Sequence, residues 1–200
     1  MFKLSLFFSL FICASVLGGE IPERAETSSK DVSSSPSIFP IAYHGAAAAV
    51  QAIQENSDTR IYYQHTDNSI HQIAVNGLFT TGRVFADDQF VPPEEVLEGT
   101  PIVATSFGDT WQEIHFFFFS PGNILSEYIW KANVGFHGGP NCSECITVNQ
   151  FGVQPGSKVL YVMGNPGAHG LRVGFVSAGS PSTITEAVTN GSGWQLATMK

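Results

Sequence analysis

The sequence predicts an all-β, β-propeller-like fold that is built from three blade repeats. Three β-rich hairpins follow one another, and equivalent positions in them are 55 residues apart from Arg60 to His115 and 57 apart from His115 to Arg172. The middle hairpin also contains four consecutive phenylalanines at positions 116–119. Periods of roughly 40–50 residues or slightly more, with several strands in each, are typical of propeller blades or of a related array.

Each repeat consists of a β-rich run, a turn rich in Gly, Asn, Asp, Pro or Ser, and a second β-rich run, which predicts a hairpin. The three hairpins are residues 60–73 with a turn at 66–68, residues 114–128 with a turn at 120–123, and residues 171–187 with a turn at 178–182.

A small or apolar run precedes each hairpin, at residues 47–53, 101–107 and 158–163, and a polar loop follows each run. A repeat therefore has at least three strands, and the pattern leaves a fourth open. Residues 46–54 are rich in Ala and Gln, whose intrinsic propensity favours a helix, whereas the repeat register predicts a strand there. We expect the strand, because tertiary context routinely overrides propensity.

The phenylalanine run at 116–119 indicates how the repeats pack. A strand with one exposed face alternates polar and apolar residues, whereas this run is apolar on both faces. We therefore expect a sheet that lies between two neighbouring sheets, as propeller blades do. The alternative is an ordinary core strand of a β-sandwich.

The N-terminus has the pattern of a secretory signal peptide, with Lys3, an apolar run at 4–17 and small residues at Gly18 and Gly19. An uncleaved anchor is the alternative, but the run is shorter than the roughly 20 apolar residues that span a bilayer. We expect a signal peptide at 1–18, a Ser-rich disordered lead-in at 19–40 and the three-repeat domain at 41–200. The protein is thus predicted to be secreted and extracellular, with no membrane span.

Cys142 and Cys145 are the two cysteines that follow the predicted signal peptide. In a secreted chain the expectation is a disulfide that closes a small loop, with free thiols and metal or redox chemistry as alternatives. Asn141 and Asn190 each begin a glycosylation sequon, which agrees with secretion.

Several function classes are disfavoured by composition and motif. A net charge of -8 without a basic stripe argues against nucleic acid as a partner. The pairs Asp87–Asp88 and Glu94–Glu95 lie near prolines and lack the spacing of a calcium loop, so we expect a solvated loop. The histidines show no metal spacing and no catalytic constellation is present, so we expect neither enzyme activity, nor a metal, nor a cofactor. The histidines are His44, His65, His71, His115, His137 and His169.

Two segments carry a resemblance to a known family. Residues 60–64 (RIYYQ) and 123–128 (NILSEY) resemble the repeats of the fungal fucose-specific lectins, which are six-bladed β-propellers. The resemblance extends over most of residues 41–200 in three units, which would be about half of a six-bladed ring. It implies a sugar pocket between adjacent blades, with an Arg and a Glu from one blade and an aromatic wall from the next.

The resemblance implies three sets of carbohydrate-binding residues, which are Arg60, Gln72 and Trp130; His115, Glu127 and Trp194; and Arg172, Glu186 and Phe79 of another chain. A guanidinium and a carboxylate can bond vicinal hydroxyls together, and an aromatic ring can pack on the apolar face of the sugar. Two positions depart from the family pattern. Gln72 replaces the expected Glu and loses its charge, and His115 replaces the expected Arg and loses its fork of donors.

These observations predict a protein that binds fucosylated glycans. The alternative is a non-catalytic module for protein interaction on a degenerate lectin scaffold, which the departures at Gln72 and His115 favour. Three blades leave sheet faces uncovered, so we also expect a homo-oligomer, most simply a dimer that closes a six-bladed ring.

Overall fold

Twelve strands in three four-stranded sheets make up the part of the chain that the computed structural model describes, residues 38–52, 57–165 and 170–200. All of the strands belong to one unit, Pro40–Lys200. The predicted signal peptide at 1–18 and residues 19–37 of the predicted lead-in lie outside the described residues. Within the described ranges, no helix has the length and the apolar character that a membrane span needs.

Each sheet is a run of four consecutive strands, and every strand is antiparallel to its neighbours. The first sheet contains β1 (Tyr43–Gln51), β2 (Thr59–His65), β3 (Ile70–Val75) and β4 (Val84–Val91). The second contains β5 (Val103–Phe107), β6 (Glu113–Ser120), β7 (Ile124–Lys131) and β8 (Gly135–Gly138). The third contains β9 (Leu160–Asn165), β10 (Gly170–Phe175), β11 (Thr185–Thr189) and β12 (Trp194–Thr198). Short 3₁₀ helices occupy Pro93–Glu95, Gly139–Asn141 and Ile146–Asn149.

This architecture confirms the predicted all-β fold with three propeller-like repeats, and each repeat has the fourth strand that the sequence pattern left open. The Ala-rich segment forms β1 and pairs with β2 through Ala47, Ala48 and Ala49, so the repeat register prevails over helix propensity. The prediction of a loop at Asp87 and Asp88 is wrong, because both residues lie in β4. As an outer strand, β4 can carry adjacent charges, which also discourage pairing with another sheet edge.

The innermost strands of the three sheets, β1, β5 and β9, lie side by side, so the sheets are arranged as neighbouring blades. A hydrophobic cluster fills the space between the first two sheets, and the stacked rings of Tyr62 and Phe116 lie at its centre, with their centroids 4.5 Å apart. A second cluster joins the second and third sheets and includes Phe117, Val173 and Phe175.

Strand β6 is apolar on both faces, and each face is buried against a different neighbour. Phe116 and Phe118 belong to the cluster shared with the first sheet, and Phe117 and Phe119 to the cluster shared with the third. All four side chains are at most 1% exposed. This confirms the prediction of a sheet between two others, and complete burial of such a side chain contributes about 1.5–3 kcal/mol.

The connection between β8 and β9 covers an edge that β8 leaves open. Strand β8 pairs only with the C-terminal half of β7. In the other half, the Leu125 N–H donates to the Phe151 carbonyl (3.0 Å) and the Glu127 N–H donates to Thr147 Oγ1 (2.9 Å). The predicted disulfide between Cys142 and Cys145 is confirmed and lies within this connection. The edge of β7 is thereby supplied with hydrogen-bond partners instead of being exposed.

The packing of β6 predicts a large difference between two phenylalanine truncations. We expect Phe117→Ala to lower the free energy of unfolding by about 3–5 kcal/mol, because it leaves a cavity between the second and third sheets. Phe79, whose side chain is 73% exposed, is the matched control, and Phe79→Ala should change stability by no more than about 0.5 kcal/mol. Chemical denaturation of both variants measures the difference, and equal losses would contradict this account of the core.

Candidate functional site

The three predicted residue pairs occupy the same register position in the three sheets. In each sheet the second strand supplies one residue, and the third strand supplies a residue two places from its direct cross-strand partner. Diagonal neighbours of this kind lie on one face of the sheet, within reach of long side chains. The pairs are Arg60 and Gln72, His115 and Glu127, and Arg172 and Glu186.

The first site is a cavity of about 380 Å³ between the first and second sheets. It brings Arg60, Gln72 and Trp130 together, as the sequence predicts. Five of the residues that line it are aromatic, and they include Phe136 of β8 and Trp111 of the turn between β5 and β6 in addition to Trp130.

Arg60 is positioned in the first site by aromatic rings. Its guanidinium carbon lies 4.7 Å from the centroid of Trp111 and 5.2 Å from that of Phe85, and Nη1 donates to the Thr59 carbonyl at 3.0 Å. Cation–π contacts of this kind attract the guanidinium to the ring faces and fix its direction. The planar fork of N–H donors that a guanidinium carries is the group of this site that suits vicinal hydroxyls.

A carboxylate enters the first site from β4, at a position where the sequence predicts a solvated loop. Gln72 is 7% exposed, and its direct partner on β4 is Asp88. The Asp88 side chain is exposed and lines the same cavity as Arg60. The negative charge that Gln72 lacks is therefore present beside it.

The second site is a cavity of about 480 Å³ between the second and third sheets. It brings His115, Glu127 and Trp194 together, as the sequence predicts. The Trp194 ring meets the edge of Phe117 with a centroid distance of 6.2 Å. Charged groups surround the mouth of the cavity, where Lys131 contacts Glu113 at 3.7 Å and Glu144 at 2.5 Å.

The His115–Glu127 pair is part of the internal hydrogen-bond network of the fold. Glu127 is 1% exposed; its Oε1 lies 2.7 Å from His115 Nδ1, and its Oε2 accepts from the Ile146 N–H at 2.7 Å. On the other side of the imidazole, Nε2 lies 3.2 Å from Glu113 Oε1. Burial by itself lowers the pKa of His115, but the two carboxylates outweigh it and raise the pKa to about 9. Both oxygens of Glu127 are thus occupied by the protein itself.

The third site lies on the face of the third sheet that points away from the second sheet. Val173 and Phe175 of β10 pack toward the second sheet, so the alternate residue Arg172 points the other way. Arg172 Nε and Nη2 donate to Glu186 Oε2 at 3.0 and 2.5 Å. These hydrogen bonds lower the pKa of Glu186, so the carboxylate is ionised. The Arg172 side chain is 55% exposed and is open to solvent.

Tyr161 completes the third site from β9. Its hydroxyl donates to Glu186 Oε1 at 2.9 Å. Its ring lies over Gly174, where an added Cβ would be 1.9 Å from a ring carbon. Only glycine leaves room for this ring, which gives the Arg172–Glu186 pair an aromatic neighbour within its own sheet.

The three predicted aromatic residues, Trp130, Trp194 and Phe79, do not occupy equivalent positions in their sheets. The register places Phe136, rather than Trp130, at the position in the second sheet that Trp194 has in the third. Phe79 lies in the connection between β3 and β4 and is exposed, and its contribution to the third site stays a prediction that needs a second chain. Asn141 and Asn190 are also exposed, and their glycosylation stays a prediction.

The buried imidazolium of the second site predicts a stability that depends on pH. The folded pKa of His115, about 9, lies above the ordinary value of about 6.5. Its charged form therefore stabilises the fold fully below about pH 6.5, and this contribution is lost as the pH rises through about 9. At about 1.4 kcal/mol per pKa unit, the loss is on the order of 3 kcal/mol.

Urea unfolding at about pH 6 and about pH 9.5 measures this loss, with His115→Gln as the reference that lacks the titrating group. NMR titration of the His115 imidazole should give a midpoint near 9. The same pH dependence in the wild type and in His115→Gln would show that another group is responsible.

Solved structures of lectins share the fold of this chain. AofleA from Arthrobotrys oligospora superposes with a TM-score of 0.63 at 22% identity, over 80% of this chain and 43% of that one. The six-bladed Aleuria aurantia lectin gives a TM-score of 0.55 at 18% identity, over 81% of this chain and 47% of that one. The BP39L lectin from Burkholderia pseudomallei gives a TM-score of 0.57 at 15% identity, over 78% of this chain and 41% of that lectin.

No protein-family model and no curated protein sequence matches the chain. The chain spans less than half of the length of each of the three lectins. The described strands nevertheless follow the same architecture over most of the chain. The chain therefore has the fold of three blades of a six-bladed lectin propeller, as the resemblance of its repeats to the fungal fucose-specific lectins predicts.

Proposed function

We propose that the protein is a secreted, non-catalytic lectin that binds fucosylated glycans in the spaces between adjacent blades. The observation that carries this proposal is the first site. Within one chain, an arginine and a carboxylate from one sheet line a cavity to which the next sheet contributes Trp130 and Phe136. The Aleuria aurantia lectin, which shares the fold, has been solved in complex with alpha-methyl-L-fucoside, and this supports fucose as the sugar.

The chemistry of the first site suits a neutral deoxysugar. The Arg60 guanidinium offers several donors in one plane, and the Asp88 carboxylate offers acceptors, so neighbouring hydroxyls can bond both groups at once. The indole of Trp130 offers an apolar surface to the C–H face and the methyl group of the sugar. The uncharged side-chain amide of Gln72 lines the cavity together with the Arg60 guanidinium and the Asp88 carboxylate.

The third site supports an assembly of two chains. Arg172 and Glu186 match the sugar-binding pair of the lectin repeats residue by residue, but their face of the sheet points away from the rest of the array. We propose that a second chain supplies the missing wall, with Phe79 as the candidate aromatic, and that two chains close a six-bladed ring. Closure would also cover the exposed Met163 beside this pair.

A module for protein interaction is the second candidate function, and the second site favours it. Glu127 is 1% exposed and accepts hydrogen bonds from His115 and Ile146, so this carboxylate has little surface to offer a ligand. If the other two pockets also lack groups that can bind a sugar, the protein would bind other proteins through its surface, and free fucose would not affect that binding.

Secretion is supported by two features of the second and third repeats. The Cys142–Cys145 disulfide persists in oxidising compartments, and the sequons at Asn141 and Asn190 place their asparagines on the surface, where a glycan can be attached.

Titration with methyl α-L-fucoside tests the sugar-binding proposal. We expect Arg60→Ala to weaken binding by about 10–100-fold, because charge-assisted hydrogen bonds to the sugar contribute about 1.5–3 kcal/mol. Asp88→Asn keeps the shape of the site, removes its charge and should weaken binding about tenfold. Arg83, an exposed arginine outside the described cavities, is the matched control, and Arg83→Ala should bind like the wild type.

The same titration separates the two candidate functions. A folded wild-type protein that gives no binding heat with the fucoside, and no fucose-dependent signal on a glycan array, would refute the lectin proposal. Capture of a protein partner that free fucose does not displace would then favour the interaction module.

Sedimentation of the protein with and without fucoside tests the two-chain ring. Because a pocket shared between chains links sugar binding to association, fucoside should lower the dimer dissociation constant of the wild type. Arg172→Ala should abolish this effect, whereas Arg60→Ala should retain it, since the first site lies within one chain. A wild type that stays monomeric at micromolar concentration in saturating fucoside would refute the ring.

A further inference from the structure

Two histidines meet on the face of the first sheet that points away from the second sheet. His71 is the direct cross-strand partner of Tyr63, and His65 lies two residues further along β2 on the same face. The two imidazole rings are stacked, with a centroid distance of 4.6 Å and an interplanar angle of 15°. Asp67, in the turn between the strands, places its Oδ1 3.0 Å from His65 Nδ1. One ligand atom from each of these three residues lies within 4.8 Å of the other two.

The turn between β2 and β3 holds His65 and Asp67 against each other. The Asp67 N–H donates to His65 Nδ1 at 3.3 Å. Asp67 Oδ1 accepts from the N–H and the hydroxyl of Ser69 at 2.9 and 2.6 Å, which holds the carboxylate in place. Asp67 Oδ1 and His65 Nδ1 lie 3.0 Å apart, and either a proton on the imidazole or a bound cation can join them. A metal ion at this position would displace that proton and would meet both groups already in place.

His71 is oriented by a carboxylate in the way that is common behind metal ligands. Its Nδ1 lies 3.2 Å from Asp87 Oδ1, and the Tyr63 hydroxyl donates to the same oxygen at 3.2 Å. A carboxylate that accepts the Nδ1–H of a histidine fixes the tautomer and leaves the Nε2 lone pair for a metal. Asp87 on β4 thus orients the imidazole of His71, and the hydroxyl of Tyr63 on β2 orients the carboxylate of Asp87.

We infer that His65, Asp67 and His71 bind one divalent transition-metal ion, for which Zn²⁺ is the representative. Two imidazole nitrogens and one carboxylate oxygen match the ligands that Zn²⁺ takes in proteins, and a three-residue set leaves one position for water. The side chains of the three residues are 25%, 53% and 17% exposed, so an ion can reach them. This inference departs from the sequence-based expectation of no metal and is independent of the proposed sugar binding.

A second cluster of metal-binding residue types in the described part of the chain does not compete with this one. It consists of His137, Cys142 and Glu144. The Cys142 sulfur is bonded to Cys145 and is not a thiolate, and Glu144 is paired with Lys131 and with His137. His137 is therefore suited to be the control position.

Calorimetric titration of the full, tag-free chain with zinc chloride tests the inference. We expect saturable binding of one Zn²⁺ per chain, and its loss in the double variant His65→Asn/His71→Asn. Asp87→Asn should weaken binding by about 10–100-fold, the usual effect of removing the group behind a metal-bound histidine. His137→Ala should bind like the wild type.

Thermal unfolding with and without zinc gives a second readout on the same proteins. Zinc should raise the Tm of the wild type and of His137→Ala, and it should leave that of the double variant unchanged. Circular dichroism confirms that each variant is folded before titration. The inference is overturned if the folded wild type binds no zinc, or if the double variant binds zinc as tightly as the wild type does.

Discussion

Strand β6 has no polar face, and this constraint determines the arrangement of its neighbours. Water would contact Phe116 and Phe118 if the first sheet were removed, and Phe117 and Phe119 if the third sheet were removed. The second sheet is therefore stable only between two others, and both candidate cavities that lie within the chain are formed along the two boundaries that this strand creates. The aromatic walls of those cavities are continuations of the same hydrophobic clusters, so the core and the sites share their structural support.

One backbone geometry carries three different kinds of chemistry in the three repeats. The diagonal pair is a guanidinium and an amide in the first sheet, an imidazolium and a buried carboxylate in the second, and an exposed ion pair in the third. The surroundings differ accordingly: a carboxylate on β4 accompanies Gln72, a main-chain amide holds Glu127, and a tyrosine holds Glu186. Repetition of the fold therefore does not imply repetition of the site.

The repeat pattern was sufficient to predict three strands of each sheet, because β-rich runs and turns recur at a fixed spacing. The three residue pairs were implied by the resemblance of these repeats to the fungal fucose-specific lectins. The repeat pattern did not reveal Asp88, whose position beside Gln72 depends on the pairing of β3 with β4 and on the bulge between Ile70 and His71. Nor did it reveal the ring of Tyr161 over Gly174, since these residues meet only across paired strands. Contacts across an irregular register are set by tertiary structure, so a single sequence does not specify them.

The double engagement of Glu127 has a consequence for how the repeats can diverge. An exchange of His115 for arginine would restore the residue type but not an exposed carboxylate, because Glu127 is 1% exposed and is held by the amide of Ile146. That amide belongs to the disulfide-closed connection, which has no counterpart between the first and second sheets. We therefore expect the effect of a substitution in β6 on the second site to depend on the residues of the connection.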